Sequence, residues 1–207
     1  MALHIGVLLL NTPQLLDLAA IDLFYMTTPT YLTACSLPTP LLSLARPLTI
    51  HYIAPQTPVS TTSNLTILPT HTLSSPDIAP HTLDILLIPG PSPQAHIPED
   101  ILDFVAAHHA AGTDILSICT AALVIASAGV SAGRRVTGPR LMIPELRARF
   151  PESNWVDGRV VRDRNLWSCG VFPLLSFFLL LSLLFMLGSD WFRWDYEWAG
   201  SGGCVSV

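Results

Sequence analysis

A chain of 207 residues, half of them hydrophobic, has room for one α/β domain with a substantial core. The formal charge is −5 and the ten basic residues are scattered and all Arg, which leaves no electrostatic footprint for nucleic acid. Without Lys, Schiff-base, pyridoxal and P-loop chemistry are excluded. Cys35, Cys119, Cys169 and Cys204 have no CxxC spacing, so neither a zinc site nor a disulfide framework is expected, and a reducing, cytoplasmic compartment follows.

Residues 3–10 form a continuous apolar run, the mark of a strand buried on both faces of a parallel sheet. The run lacks the basic flank and cleavage site of a signal peptide. A helical pattern follows from Leu15 to Phe24, and Asp17 lies at this strand-to-helix junction. Such junctions line the binding crevice of open α/β sheets, although an Asp here is also a natural helix cap. Residues 27–47, rich in Pro, Ser and Thr, read as a loop with a helical turn around 31–35. Strands are expected at 48–54, 65–68 and 83–88, the last ending in Pro89-Gly90-Pro91. An amphipathic helix is expected over 98–111, with His108 and His109 near its end and no ligand role for either. Beyond residue 130 come a short strand at 133–136, a helix at 144–150, and edge pieces at 154–162 and 166–168.

The centre of the chain is residues 113–129, TDILSICTAALVIASAG. An apolar strand ends at Ile118, Cys119 follows it, and an Ala- and Leu-rich helix runs to Gly129. That is the layout of a nucleophile elbow, whose cramped backbone needs small residues two before and two after the nucleophile; Ser117 and Ala121 satisfy this. At a helix N-terminus Cys119 is expected to have a depressed thiol pKa, the alternative being an inert buried cysteine at a strand end.

The stretches GVLLLNTPQLLDLAAIDLF, LDILLIPGPSP and the run from Asp114 to Gly170 together resemble the ThiJ/PfpI superfamily, closest to its isonitrile-hydratase-like fungal branch. The resemblance implies a flavodoxin-like three-layer sandwich with a central, mostly parallel sheet and a nucleophile elbow, spanning residues 1–170. It implies Cys119 as nucleophile, Asp17 as the acid after the first strand, and Thr120 beside the cysteine. Gly90 falls on the oxyanion-side loop; since Pro91 lacks an N–H, the oxyanion donors are expected from Gly90, Thr120 or a later amide. Thr137-Gly138-Pro139-Arg140 stands where relatives often carry a His, so a Cys-His dyad is not expected. The implied reaction is hydro-lyase addition of water to a small electrophile, an isonitrile, through the Cys119 thiolate. No metal or organic cofactor is called for, and relatives of this kind are commonly homodimers. A different class is also open: a non-catalytic fold relative in which the same cysteine senses oxidants or electrophiles. A DNA-binding regulator is not expected, because no room is left for a helix-turn-helix domain.

After Gly170 the resemblance stops. The superfamily expects a segment of the kind GG[IV]T-x-G-[LI]-D before a closing helix, and residues 171–207 form an aberrant apolar tail instead. Residues 171–187 are uninterrupted and apolar, slightly short of the ~20 of a membrane span, so a C-terminally anchored membrane protein is one reading. Phe, Leu, Ser and Pro are also encoded by pyrimidine-rich codons of the kind that precede an intron acceptor, and Phe192-Arg193 can contain the acceptor AG. Reading from Trp194 one base forward permits GITNGLDLVAAYL, the missing segment; a retained intron with a frameshift is the favoured reading. The chain as given should then be less soluble and unfold less cooperatively than one joining Gly170 to GITNGLDLVAAYL and a superfamily-like ending, since each large apolar side chain left wet forgoes about 1.5–3 kcal/mol. Equal solubility and equal unfolding curves would make the tail a working part of the protein.

Overall fold

The computed structural model describes residues 2–10 and 12–170, so the expectations about residues 171–207 lie outside the described residues. Strand β1 (Leu3–Leu8) leads into a 3-10 turn, Leu15–Ala19, and helix α1 (Ala20–Tyr25). Residues 27–47, expected as a loop, hold two short helices, α2 (Pro29–Ala34) and α3 (Thr39–Leu42). The reason for α2 is local: Thr28 Oγ1 accepts the Tyr31 N–H at 3.3 Å, and Pro29 occupies the first turn, where its missing N–H costs nothing.

Strand β2 (Leu48–Ile53) is followed by a small hairpin, β3 (Val59–Ser60) with β4 (Thr66–Ile67), and then by β5 (Ile85–Ile88). Next come α4 (Glu99–Ala110), β6 (Asp114–Ile118) and α5 (Ala122–Ser127). The chain continues through β7 (Arg135–Val136), α6 (Ile143–Arg149), β8 (Asn154–Trp155), β9 (Val160–Asp163) and β10 (Leu166–Cys169).

The main sheet has the order β2-β1-β5-β6-β10-β9, parallel throughout except for the β9–β10 pair. Strand β10, expected at an edge, lies inside the sheet between β6 and β9. Its hydrophobic pattern is short because Ser168 is buried and accepts the Thr137 N–H at 2.9 Å.

Alternation along the strands divides the core into two layers. Leu8, Leu86, Ile88 and Ile115 face α4, α5 and α6, while Val7, Ile85, Leu87, Leu116 and Ile118 face the α1 side together with Phe24, Cys119 and Cys169. This is the three-layer sandwich expected from sequence. The chain builds outward from β1 to β2 and then returns to β5 on the other flank of β1, so the order reverses between β1 and β5. Loops leaving the carboxyl ends of these two strands diverge, which opens the crevice used by α/β proteins for their ligands. Among the described residues no helix is long and apolar enough to cross a membrane.

His108 on α4 is fully buried, with Nε2 3.0 Å from the Ile78 carbonyl and Nδ1 3.4 Å from Thr113 Oγ1. Burial, partly offset by the Ile78 contact, holds its pKa below the ordinary value of 6.5. The folded chain therefore keeps His108 neutral while the unfolded chain takes up a proton below about pH 6.5, so its contribution is present above that pH and lost as pH falls. His108→Leu should cost about 1–3 kcal/mol at pH 7.5, by orphaning the Ile78 carbonyl, and should flatten the loss of stability between pH 7.5 and 5 in urea unfolding. An unchanged slope would show that His108 is not what titrates.

Candidate active site

Three loops meet at the carboxyl end of the sheet: one after β1, one after β5, and the junction of β6 with α5. The β6 junction turns sharply, because Cys119 has φ +56°, a left-handed conformation that non-glycine residues rarely adopt. A single 3-10 turn, Cys119–Ala121, then feeds α5. Ser117, Ala121 and Ala122 are all buried, so larger side chains there would meet packed neighbours. Gly129 at φ +72° closes the helix, as the sequence requires.

Asp17 comes from the turn after β1 and does not cap it; its side chain is 1% exposed and points inward. Oδ2 accepts the Gly90 N–H at 2.9 Å. Oδ1 is buried and, among the described residues, has no hydrogen-bond partner. Burial pushes the Asp17 pKa up from 3.8 to about 6, against the opposing pull of the Gly90 amide.

The Gly90 amide, expected from sequence as an oxyanion donor, is thus committed to Asp17, and its role is to hold the acid. A Cβ on Gly90 would lie 2.5 Å from Thr120 Oγ1, 2.8 Å from Asp17 Oδ2 and 3.0 Å from the Thr120 nitrogen. Only glycine lets the acid and the elbow approach this closely. Thr120 is buried too, and its hydroxyl donates to the Pro91 carbonyl at 2.6 Å, which ties the elbow to the loop after β5.

Cys119 is 1% exposed, and its thiol pKa is raised, not depressed as the sequence suggested. Burial is the first cause and the Asp17 charge the second; the Thr120 amide and hydroxyl and the Gln14 amide act the other way. The helix behind Cys119 has six residues and begins three positions later, so its dipole is too small to overcome desolvation.

Two residues of this cluster were missed in the sequence. Gln14 Nε2 lies 3.6 Å from Cys119 Sγ. Cys169, at the end of β10, takes a hydrogen bond from the Cys119 backbone, and burial pushes its thiol up to about 12. The only signal for Gln14 was its place three residues before Asp17 on the same turn, and nothing in sequence brought Cys169 to Cys119. Among the described residues no group of three or more His, Cys, Asp or Glu side chains is placed to hold a metal ion.

Comparisons to known proteins give the family and the fold. The DJ-1/PfpI family profile matches residues 28–181. The chain belongs to the DJ-1/PfpI family. It is 32% identical over 176 residues to the isonitrile hydratase of Pseudomonas putida, a match that takes in 82% of this chain and 66%, just under two thirds, of that protein. A cysteine-to-alanine mutant of a DJ-1 superfamily protein from Salmonella typhimurium superposes with a TM-score of 0.67 at 25% identity, covering 90% of this chain and 91% of that one. A ThiJ/PfpI family protein from Pseudomonas syringae shares the fold, with a TM-score of 0.69 at 22% identity over 97% of this chain and 80% of that one.

A buried carboxyl with a raised pKa destabilises the fold wherever it is ionised. The folded group binds a proton that the unfolded group lacks between pH 6 and 3.8, so the cost is complete above about pH 6 and vanishes below about pH 4. Asp17→Asn, which can still accept from Gly90, should therefore raise stability by about 1–3 kcal/mol at pH 8, with the gain closing at pH 4. Denaturant unfolding at the two pH values checks this; an equal effect at both would place the Asp17 carboxyl in a solvated setting.

Proposed function

We propose that this DJ-1/PfpI family protein hydrates isonitriles through Cys119, with Asp17 as the proton carrier. The observation that carries the reading is the convergence of a buried elbow cysteine with a buried carboxyl whose pKa of about 6 suits proton transfer near neutrality. Similarity to the Pseudomonas putida isonitrile hydratase supports the substrate class.

Attack of Cys119 Sγ on the terminal carbon of R–N≡C forms the C–S bond as the thiol proton leaves to Asp17 Oδ1, the carboxylate oxygen that Gly90 does not engage. That proton is then delivered to the former isonitrile carbon, giving a thioimidate, R–N=CH–S–Cys119. Water adds to the same carbon with Asp17 again relaying the proton, and expulsion of the thiol releases R–NH–CHO. One water is consumed, the cysteine and carboxylate are regenerated, and no cofactor enters. The reading includes a homodimer in the cytoplasm that binds no nucleic acid.

A second reading rests on the 1% exposure of Cys119, which admits peroxide more readily than a bulky substrate: the cysteine then serves as an oxidant or electrophile sensor modified once per chain. Turnover separates the two. Cyclohexyl isonitrile should be converted to its formamide over many cycles by the version carrying GITNGLDLVAAYL after Gly170. Cys119→Ala should abolish this, and Asp17→Asn should lower kcat/KM by about 10²–10⁴-fold. Because Asp17 acts first as a base, kcat/KM should rise as pH increases through about 6. Formamide production that survives Cys119→Ala rejects the reading, and one-for-one modification without formamide favours the sensor.

A further inference from the structure

On the outer side of the turn that carries Asp17 lies a groove of about 800 Å³, lined mainly by apolar side chains that include Leu15, Leu16, Leu18, Ile21 and Ile67. Gln14 is half-buried and belongs to both places: it lines this groove, and its Nε2 reaches Cys119 Sγ at 3.6 Å. Its backbone is fixed at both ends, the N–H donating to the Gly90 carbonyl at 3.1 Å and the C=O accepting from the Asp17 N–H at 3.1 Å. The carboxamide is therefore carried by the same loop contacts that set the acid.

The sulfur has few other sources of stabilisation. Among the described residues no cationic group acts on it, and the neighbouring Asp17 charge opposes its ionisation. The Thr120 amide and hydroxyl also favour the ionised sulfur, but the hydroxyl proton is shared with the Pro91 carbonyl, 2.6 Å away. Among the described residues, Gln14 is the side chain that brings an N–H to Sγ, at 3.6 Å. A hydrogen bond to a thiolate is charge-assisted and stronger than one to a thiol, so this donor favours the ionised form selectively.

We infer that Gln14 is a positioning residue for the nucleophile, donating through Nε2–H to Cys119 Sγ from the wall of the groove and stabilising negative charge on sulfur as the proton passes to Asp17. The inference rests on Cys119 being the nucleophile of the proposed reaction.

The test is the thiolate absorbance of the full chain near 240 nm against pH, taken as the difference from the matching Cys119→Ser background. Gln14→Met keeps the shape and removes the donor, and should raise the thiolate midpoint by about one pH unit. Gln14→Glu places a second carboxylate beside the sulfur and should raise it further. With cyclohexyl isonitrile, Gln14→Met should lower kcat by about tenfold with KM within about twofold, as for an interaction made chiefly in the transition state. Midpoints equal to the parent's in both variants, with thermal unfolding unchanged, overturn the role of Gln14. The titration needs no substrate, so shifted midpoints in a chain that turns over no isonitrile would uphold the donor and reject only the hydratase reading.

Discussion

The hydrogen bond between the Gly90 amide and Asp17 Oδ2 is the constraint from which the rest of the site follows. It joins the loop after β1 to the loop after β5, the two strands at which the sheet order reverses. A carboxylate buried with one donor and, among the described residues, one unpartnered oxygen is under-solvated, and that is what lifts its pKa to about 6. The same charge raises the thiol of Cys119 and adds to the rise at Cys169. Protonation of the acid and ionisation of the thiol are therefore linked, each easing the other.

Holding such a cluster requires a scaffold that over-determines it. The left-handed backbone at Cys119 is strained for a residue with a side chain, and it is kept in place by β6, which is paired on both sides, and by the buried packing of α5. Gly90 matters as much for what it lacks as for its amide, since a single Cβ would collide with Thr120 and Asp17 together. Thr120 then locks the elbow to the opposite loop through the Pro91 carbonyl. Pro91 has no N–H to offer, but its carbonyl serves, so the proline is compatible with the site in a way that counting donors alone would not show.

The electrostatic character of the site is that of a neutral cradle. Among the described residues, Cys119 has amide and hydroxyl neighbours but no cation to hold a standing thiolate. A nucleophile in this setting is made at the moment of use, by moving its proton a short way, rather than stored in ionised form. This suits the proposed substrate, whose carbon has to receive a proton in the same event that forms the bond to sulfur.

The amino-acid sequence by itself determined the alternation of strand and helix and the elbow layout at Cys119, because buried parallel strands are continuous apolar runs and an elbow demands small residues at fixed offsets, while the family was legible only as a resemblance of whole stretches. It also marked Asp17 as a candidate for the crevice by its place at the junction after the first strand, a position that suited a helix cap as well. Only the tertiary structure decided what these groups are. The thiol pKa was misjudged from the helix alone because desolvation and the Asp17 charge are properties of packing across more than a hundred residues of chain. Gly90 changed from an oxyanion donor into the anchor of the acid once its partner was visible. Strand β10 moved from edge to interior, and with it Cys169 came beside Cys119, because strand order is set by long-range pairing. Gln14 had no motif to mark it; its proximity to sulfur exists only when the loop after β1 closes over the end of β6.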